Sequence, residues 1–174
     1  MGLAQMWSPY SPEVIRTANA TARGAWGHRK PLVYAFAARV MAPADSVLDF
    51  GAGPRAVFAG KLREQGFRVT AWDFGGNFIE GAHDRSALLA TYDTILVSNV
   101  FNVLDRVGIV CATAEIVGCL GSGGRVIWNF PADPHKYVGV DESYVVAEFA
   151  SYGYVTVSPY PRLFVSGVPD FLMS

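Results

Sequence analysis

Short apolar runs alternate with segments of helical period along most of the chain. The runs 46–50 and 94–98 are apolar without polar alternation, which is typical of strands covered on both faces of a parallel sheet. Further strands are predicted at 67–72, 125–129, 154–158 and 163–168. The last two are joined by a tight connection containing proline, which predicts an antiparallel hairpin.

Helices are predicted between these strands and before them. Ser11 is suited to cap the first helix and Pro12 to occupy its first position. The predicted helices span 11–22, 31–41, 55–65, 107–120 and 141–152. The segment 74–92 is too short and too rich in glycine for a full crossover, so only a brief helix or a stub of strand near Phe78 and Ile79 fits there.

This order of elements predicts an α/β fold with an open, doubly wound, mostly parallel sheet. The sheet has seven strands when the stub is counted, with the third strand and the second helix reduced, and it ends in the antiparallel hairpin. We expect a single domain over 1–174, in which an N-terminal helical segment, 1–42, precedes a Rossmann-like core, 43–174.

Composition narrows the class of protein. Hydrophobic residues make up 51% of the chain and charged residues 17%, which excludes a disordered chain. The net charge of −1 supplies no global field for polyanions, although a local basic patch stays possible. No apolar run reaches the length of a membrane span, and the N-terminus lacks a secretory pattern. We therefore expect a cytoplasmic protein without a membrane partner.

The residues most suited to chemistry follow the strands. In doubly wound sheets ligands bind beyond the carboxyl ends of the strands. Asp49 is followed by Gly51 and Gly53 as the chain leaves one strand for a helix, and glycines there allow a tight turn and a close approach to a ligand. Asp73 ends the next strand, where a carboxylate can accept both hydroxyls of a ribose.

At this point the sequence resembles the class I S-adenosylmethionine (SAM)-dependent methyltransferases. DFGAG at 49–53 matches their acidic residue, spacer and Gly-x-Gly motif, and Asp73 in VTAWDF matches their ribose-binding acid. YDTILVSNVFNVL from Tyr92 matches their fourth strand, and GSGGRVIWNF from Gly121 matches their fifth. The resemblance covers about residues 30–168.

The resemblance implies an enzyme that binds SAM and moves its methyl group to an acceptor. No metal site is expected, because no histidine forms a metal-spaced pair with Cys or Asp. The implied cofactor-binding residues are Asp49, Gly51, Ala52, Gly53, Asp73, Phe74, Asp84, Ser98 and Asn99. Asp84 is included because the adenine-contacting acid of the family follows the third strand, and it lies in the His-Asp pair nearest that place. For methyl transfer we expect the positioning of the two reactants to contribute more to catalysis than acid–base groups do.

The acceptor is expected between the ends of two central strands. Asn99 and Asn129 are the candidate catalytic groups, because their amides can hydrogen-bond an acceptor there. The candidate substrate-binding residues are Asn102, Phe130, Pro131 and Arg29, the last in a basic cluster before the second helix. A small molecule or a nucleic acid or nucleotide is the expected acceptor, and the oligomeric state stays open.

Two alternatives remain. The glycines also satisfy the dinucleotide fingerprint, with Asp73 at the distance of an NAD ribose acid. Against NAD, Asp49 would repel a pyrophosphate, whereas a sulfonium ligand with an ammonium group would be attracted. The short segment 74–92 and Arg55, which stands where the family often has a third glycine, motivate the other alternative, a non-catalytic methyltransferase-like binding protein.

Overall fold

The computed structural model of the chain describes residues 10–22, 31–131 and 140–169. Its elements follow one another in the alternating order that the sequence predicts. The helices are α1 (Pro12–Ala22), α2 (Leu32–Val40), α3 (Val57–Glu64), α4 (Arg106–Gly118) and α5 (Glu142–Ser151). The strands are β1 (Ser46–Phe50), β2 (Arg68–Trp72), β3 (Tyr92–Val97), β4 (Leu120–Asn129), β5 (Val155–Tyr160) and β6 (Leu163–Gly167).

The described strands form one sheet in the order β2-β1-β3-β4-β6-β5. The pairs among β2, β1, β3 and β4 are parallel, and β6 runs antiparallel to both β4 and β5. The antiparallel hairpin at the end of the chain is therefore confirmed. The prediction of seven strands is wrong, because the sheet formed by the described residues has six. Between β2 and β3 the chain forms two 3-10 turns, 75–77 and 87–89, and one isolated bridge between Glu80 and His83.

The missing strand leaves β2 at the edge of the sheet, where unpaired backbone groups invite another chain. Two hydrogen-bond donors from nearby segments contact this edge. The Arg63 side chain donates its Nε–H to the carbonyl of Val69 at 2.8 Å, and the Asp84 backbone N–H donates to the carbonyl of Ala71 at 2.9 Å. Arg63 of α3 and Asp84 of the reduced segment thus satisfy two carbonyls of β2 without adding a strand.

Two predicted boundaries differ from the structure for local reasons. Helix α3 begins at Val57 and not at Arg55, because Ala56 has a left-handed backbone with φ of +45°. Strand β4 begins at Leu120 and not at Arg125, since Leu120 already pairs with Tyr92 of β3 and a register shift follows. The glycine-rich segment is therefore the irregular first half of a strand.

The sheet separates two hydrophobic layers. On one face α4 and α5 pack through residues such as Ile109 and Phe149, and on the other face α2 and α3 pack through residues such as Val33 and Leu62. Helix α1 contacts the turns that follow β2 and β3, so it lies at the carboxyl end of the strands. Within the described ranges no helix is long and apolar enough to cross a membrane.

Candidate active site

Strand register brings the predicted polar residues to one edge and one face of the sheet. Asp49 of β1 pairs with Ala71 of β2 and with Leu96 of β3. Side chains alternate along a strand, so the positions two residues farther along share the face of Asp49. Those positions are Asp73, Ser98 and, on β4, Asn129, all on the side covered by α2 and α3.

The loop after β1 is tied to the end of β2. Gly51 and Gly53 have φ of +76° and +75°, a conformation that side chains disfavour. The N–H groups of Gly51 and Ala52 both donate to the carbonyl of Trp72, at 2.9 and 3.0 Å. The N–H of Gly53 donates to Asp73 Oδ2 at 2.6 Å. The glycine loop is therefore held in one shape by backbone bonds and by Asp73.

The two glycines face different surroundings. A Cβ added to Gly51 would lie 2.4 Å from Val100 Cγ2, whereas a Cβ added to Gly53 would meet nothing within 4 Å. Gly51 is thus required for packing against the turn after β3. The free space next to the loop lies at Gly53.

Asp73 already accepts several hydrogen bonds from groups of the protein itself. Besides the Gly53 N–H, it accepts from the N–H of Phe74 at 2.7 Å and more weakly from Asn77 Nδ2 at 3.5 Å. Burial raises the pKa of Asp73, and these backbone hydrogen bonds oppose the rise. A carboxylate offers about four lone-pair sites, so capacity for a ligand hydroxyl remains.

Asp49 is fully buried. Its Oδ1 accepts a hydrogen bond of 2.8 Å from the hydroxyl of Tyr34 on α2. Its Oδ2 is buried and has no hydrogen-bond partner. Burial raises the pKa of Asp49 to about 7, although the Tyr34 hydrogen bond acts in the opposite direction. A buried acceptor of this kind costs free energy unless another group satisfies it.

Two further orphaned oxygens lie beyond the neighbouring strand. Ser98 Oγ, directly after β3, and Asn102 Oδ1, in the 3-10 turn that follows, are both buried without a partner. In the described part of the chain the remaining buried side-chain atom of this kind is Thr113 Oγ1, on α4. Three of the four orphaned atoms thus belong to the carboxyl ends of β1 and β3, where the fold places ligands.

Asn99 and Asn129 are paired with each other. Asn129 Oδ1 accepts from the backbone N–H of Asn99 at 2.9 Å, and Asn129 Nδ2 donates to Asn99 Oδ1 at 2.7 Å. Asn99 has a left-handed backbone with φ of +57°, which asparagine tolerates better than most residues. Asn99 is exposed, and its side-chain NH₂ group takes no part in these two hydrogen bonds.

His83 is a site residue that the sequence analysis did not select. Its ring is buried, and Nε2 lies 2.9 Å from the carbonyl of Gly53. Because a carbonyl oxygen can only accept, Nε2–H is the donor to Gly53. Nδ1 lies 3.0 Å from the N–H of Ile79 and 3.2 Å from the carbonyl oxygen of the same residue. Gly53 is therefore held on both sides, by Asp73 at its N–H and by His83 at its carbonyl. The signal in the sequence was the His-Asp pair at 83–84.

Asp84, the neighbour of His83, does not contact the glycine loop through its side chain in the hydrogen bonds of the structure. It is exposed, and Oδ1 accepts hydrogen bonds from the N–H and the hydroxyl of Ser86 at 2.8 and 2.6 Å. These bonds lower the pKa of Asp84. Its carboxylate thus closes a local turn, and the buried residue of the pair is His83.

The remaining predicted residues lie in mixed environments. Phe74 is buried and stacks on Tyr10 with a centroid distance of 4.5 Å. Phe130 is buried in the core, and Pro131 is half-buried. Arg29 lies outside the described residues. Within the described ranges, no group of three His, Cys, Asp or Glu side chains is placed to hold a metal ion.

Several solved structures are similar to this fold. No family model and no curated protein matches the sequence. The structure is similar to a TehB-like SAM-dependent methyltransferase from Corynebacterium glutamicum, with a TM-score of 0.62 and 19% identity over 87% of this chain and 96% of that chain. Magnesium protoporphyrin IX methyltransferase of Synechocystis PCC 6803, solved with bound SAM, gives a TM-score of 0.58 and 14% identity over 90% and 82% of the two chains.

A third similar structure is the glycopeptide N-methyltransferase MtfA, with a TM-score of 0.58 and 17% identity over 87% of this chain and 90% of that chain. At these identities the likeness concerns the fold. The chain has the fold of the class I SAM-dependent methyltransferases, as the sequence motifs predict.

Proposed function

We propose that this protein is a SAM-dependent methyltransferase whose cofactor site is formed by the ends of β1, β2 and β3. The observation that carries the proposal is the buried, unpartnered Oδ2 of Asp49. An orphaned acceptor requires a donor, and the ammonium group of SAM supplies three N–H donors with a positive charge. The pyrophosphate of NAD carries acceptors only, so Asp49 favours SAM over a dinucleotide.

The other residues around the glycine loop extend this assignment. The free space at Gly53 gives the ligand access to the loop backbone beside Gly51 and Ala52. Asp73 would accept the ribose hydroxyls through its remaining lone pairs, and Phe74 would supply apolar contact to the adenine. Ser98 would add a buried polar oxygen at the methionine end, and Asn102, whose Oδ1 is also buried without a partner, stays a candidate for acceptor contact. When bound, SAM supplies a methyl group on a sulfonium, which is already activated for in-line displacement.

The acceptor site would lie beside the asparagine pair. Because an amide does not titrate, Asn99 and Asn129 would orient the acceptor by hydrogen bonds and would not remove a proton. Positioning of this kind can supply roughly 7–11 kcal/mol of a barrier. Phe130, Pro131 and Arg29 remain candidates for acceptor contact. A small molecule or a nucleotide is the acceptor class we propose, in line with the small-molecule substrate named for the Synechocystis enzyme.

A non-catalytic binding protein is the second candidate, and two observations favour it. Asp73 already serves the loop backbone, and the ring of Phe74 is stacked on Tyr10. Both groups would then stabilise the protein itself. Binding of SAM without transfer to any acceptor would support this candidate.

The proposal is tested by calorimetric titration with SAM, S-adenosylhomocysteine (SAH) and NADH. We expect SAM and SAH to bind and NADH not to bind. Transfer of a labelled methyl group is then assayed on an acceptor panel, where Asn99→Ala should lower the rate by about tenfold, the upper range for one neutral hydrogen bond. Absence of SAM and SAH binding at millimolar concentration would contradict the proposal.

His83 provides a prediction about the glycine loop. In His83→Ala the carbonyl of Gly53 loses its side-chain donor and keeps only the N–H of Ala56 at 3.0 Å, so the loop should be less ordered and SAH should bind several-fold more weakly. The measurement is SAH affinity by calorimetry. Asp84→Ala is the matched control, and we expect it to bind SAH like the wild type. A loss of affinity in Asp84→Ala alone would show instead that Asp84 contacts the adenine.

A further inference from the structure

Tyr34 reaches the candidate site from outside the loop motifs. It lies on α2, it is 3% exposed, and its ring stacks on Phe58 of α3 with a centroid distance of 4.8 Å. The two helices therefore fix the position of the ring. Its hydroxyl points toward the sheet and donates to Asp49 Oδ1 at 2.8 Å.

This hydrogen bond has two consequences for Asp49. It fixes the plane of the carboxylate, which leaves Oδ2 as the oxygen available to a ligand. It also stabilises the ionised form of a carboxyl that burial would otherwise keep protonated. The other charged groups that act on Asp49 are Asp73, which disfavours its ionisation, and Arg63 on α3, which favours it.

A carboxyl must be ionised to attract an ammonium group strongly. Among the described residues, the Tyr34 hydroxyl donates the hydrogen bond that Asp49 accepts. Loss of this donor would leave both oxygens of a fully buried carboxyl without a partner. The carboxyl would then hold its proton to a higher pH.

We propose that Tyr34 is a positioning residue for ligand binding, which orients Asp49 and favours its ionised form so that Oδ2 can accept from the ammonium group of SAM. This inference rests on the proposed function. Tyr34 acts through Asp49, and its removal should therefore change the pH at which the ligand binds well.

The first measurement needs no ligand. The carboxyl carbon of Asp49 is followed by NMR as the pH is raised, in the wild type and in Tyr34→Phe. We expect the midpoint in Tyr34→Phe to lie higher by about one pH unit or more, the size expected for one hydrogen bond to a charged group. An unchanged midpoint would overturn the inference.

The second measurement is the affinity for SAH across the same pH range. In Tyr34→Phe the rise of affinity with pH should move upward with the NMR midpoint, compared over the pH range in which the amine of SAH is still protonated. The affinity for 5′-methylthioadenosine, which lacks the amino-acid end, should not change. A uniform loss at every pH and for both ligands would show a structural role only and would overturn the inference.

Two further variants complete the design. Phe58→Leu removes the stacking partner of Tyr34 and keeps the hydroxyl, so its midpoint should stay that of the wild type. If Tyr34→Phe does not fold, 3-fluorotyrosine placed at position 34 strengthens the donated hydrogen bond and should lower the midpoint. A shifted NMR midpoint together with no SAH binding by the wild type would contradict the proposed function, whereas an unshifted midpoint contradicts the role of Tyr34.

Discussion

Asp49→Asn is expected to weaken SAH binding at pH 8 by about 10- to 100-fold, the range for a hydrogen bond to a charged group. The variant keeps an acceptor for the Tyr34 hydroxyl but loses the negative charge that attracts an ammonium group. Calorimetric titration gives the affinity. The control ligand is 5′-methylthioadenosine, whose affinity should be unchanged because it has no ammonium group. Equal weakening of both ligands would contradict the role assigned to Asp49.

The same variant should stabilise the ligand-free protein at this pH. The pKa of Asp49 is about 7 in the folded protein and about 3.9 in an unfolded chain, so between these values the folded state binds more protons. Stability therefore falls as the pH rises through this window, by up to about 4 kcal/mol. Asp49→Asn removes this contribution. Urea unfolding at pH 5 and pH 8 should show a smaller loss in the variant, and an equal loss would contradict the raised pKa.

Gly51→Ala is expected to be the most destabilising single change in the loop. The new Cβ would lie 2.4 Å from Val100 Cγ2, at a backbone φ of +76°. Overpacking costs about 1–3 kcal/mol, and a left-handed backbone adds about 1–2 kcal/mol. Urea unfolding should therefore show a loss of about 2–5 kcal/mol.

Gly53→Ala is the matched control for this prediction. It has nearly the same φ, +75°, but its Cβ would meet open space. It should lose only about 1–2 kcal/mol. In the double variant Gly51→Ala with Val100→Ala, removal of the clashing methyl groups should recover part of the stability. Equal losses in the two glycine variants would show that packing against Val100 does not matter.

The strands and the glycine loop could be predicted because their signals are local. A short apolar run followed by an acid and two glycines defines both a buried strand and a tight exit from it. The spacing from Asp49 to Asp73 then follows from one crossover. Strand register then brings the two acids together, since the carboxyl ends of parallel strands meet at the same edge of the sheet.

The partners of the two acids could not be predicted in this way. Tyr34 lies on a helix whose pattern indicates only a core position, and its bond to Asp49 depends on how α2 crosses the sheet. Likewise, a sequence does not show that Asp73 turns one oxygen toward the Gly53 N–H. These contacts depend on side-chain direction in the packed structure.

One wrong prediction concerns the sheet itself, where a stub near residues 78–79 was expected to add a strand. The segment folds into 3-10 turns because its own groups satisfy the edge of β2, through the Asp84 N–H, and the glycine loop, through His83. Short spacing correctly predicted a reduced crossover. The spacing could not show that His83 of the reduced segment would hydrogen-bond the glycine loop at Gly53.

The most direct test of the central claim is a crystal structure of the protein with SAH. The account predicts that SAH lies against Gly53 at the carboxyl ends of β1 and β2, with its amine nitrogen within hydrogen-bonding distance of Asp49 Oδ2 and its ribose beside Asp73. SAH bound elsewhere, or an Asp49 Oδ2 that stays buried against the protein's own side chains when SAH is bound, would contradict it.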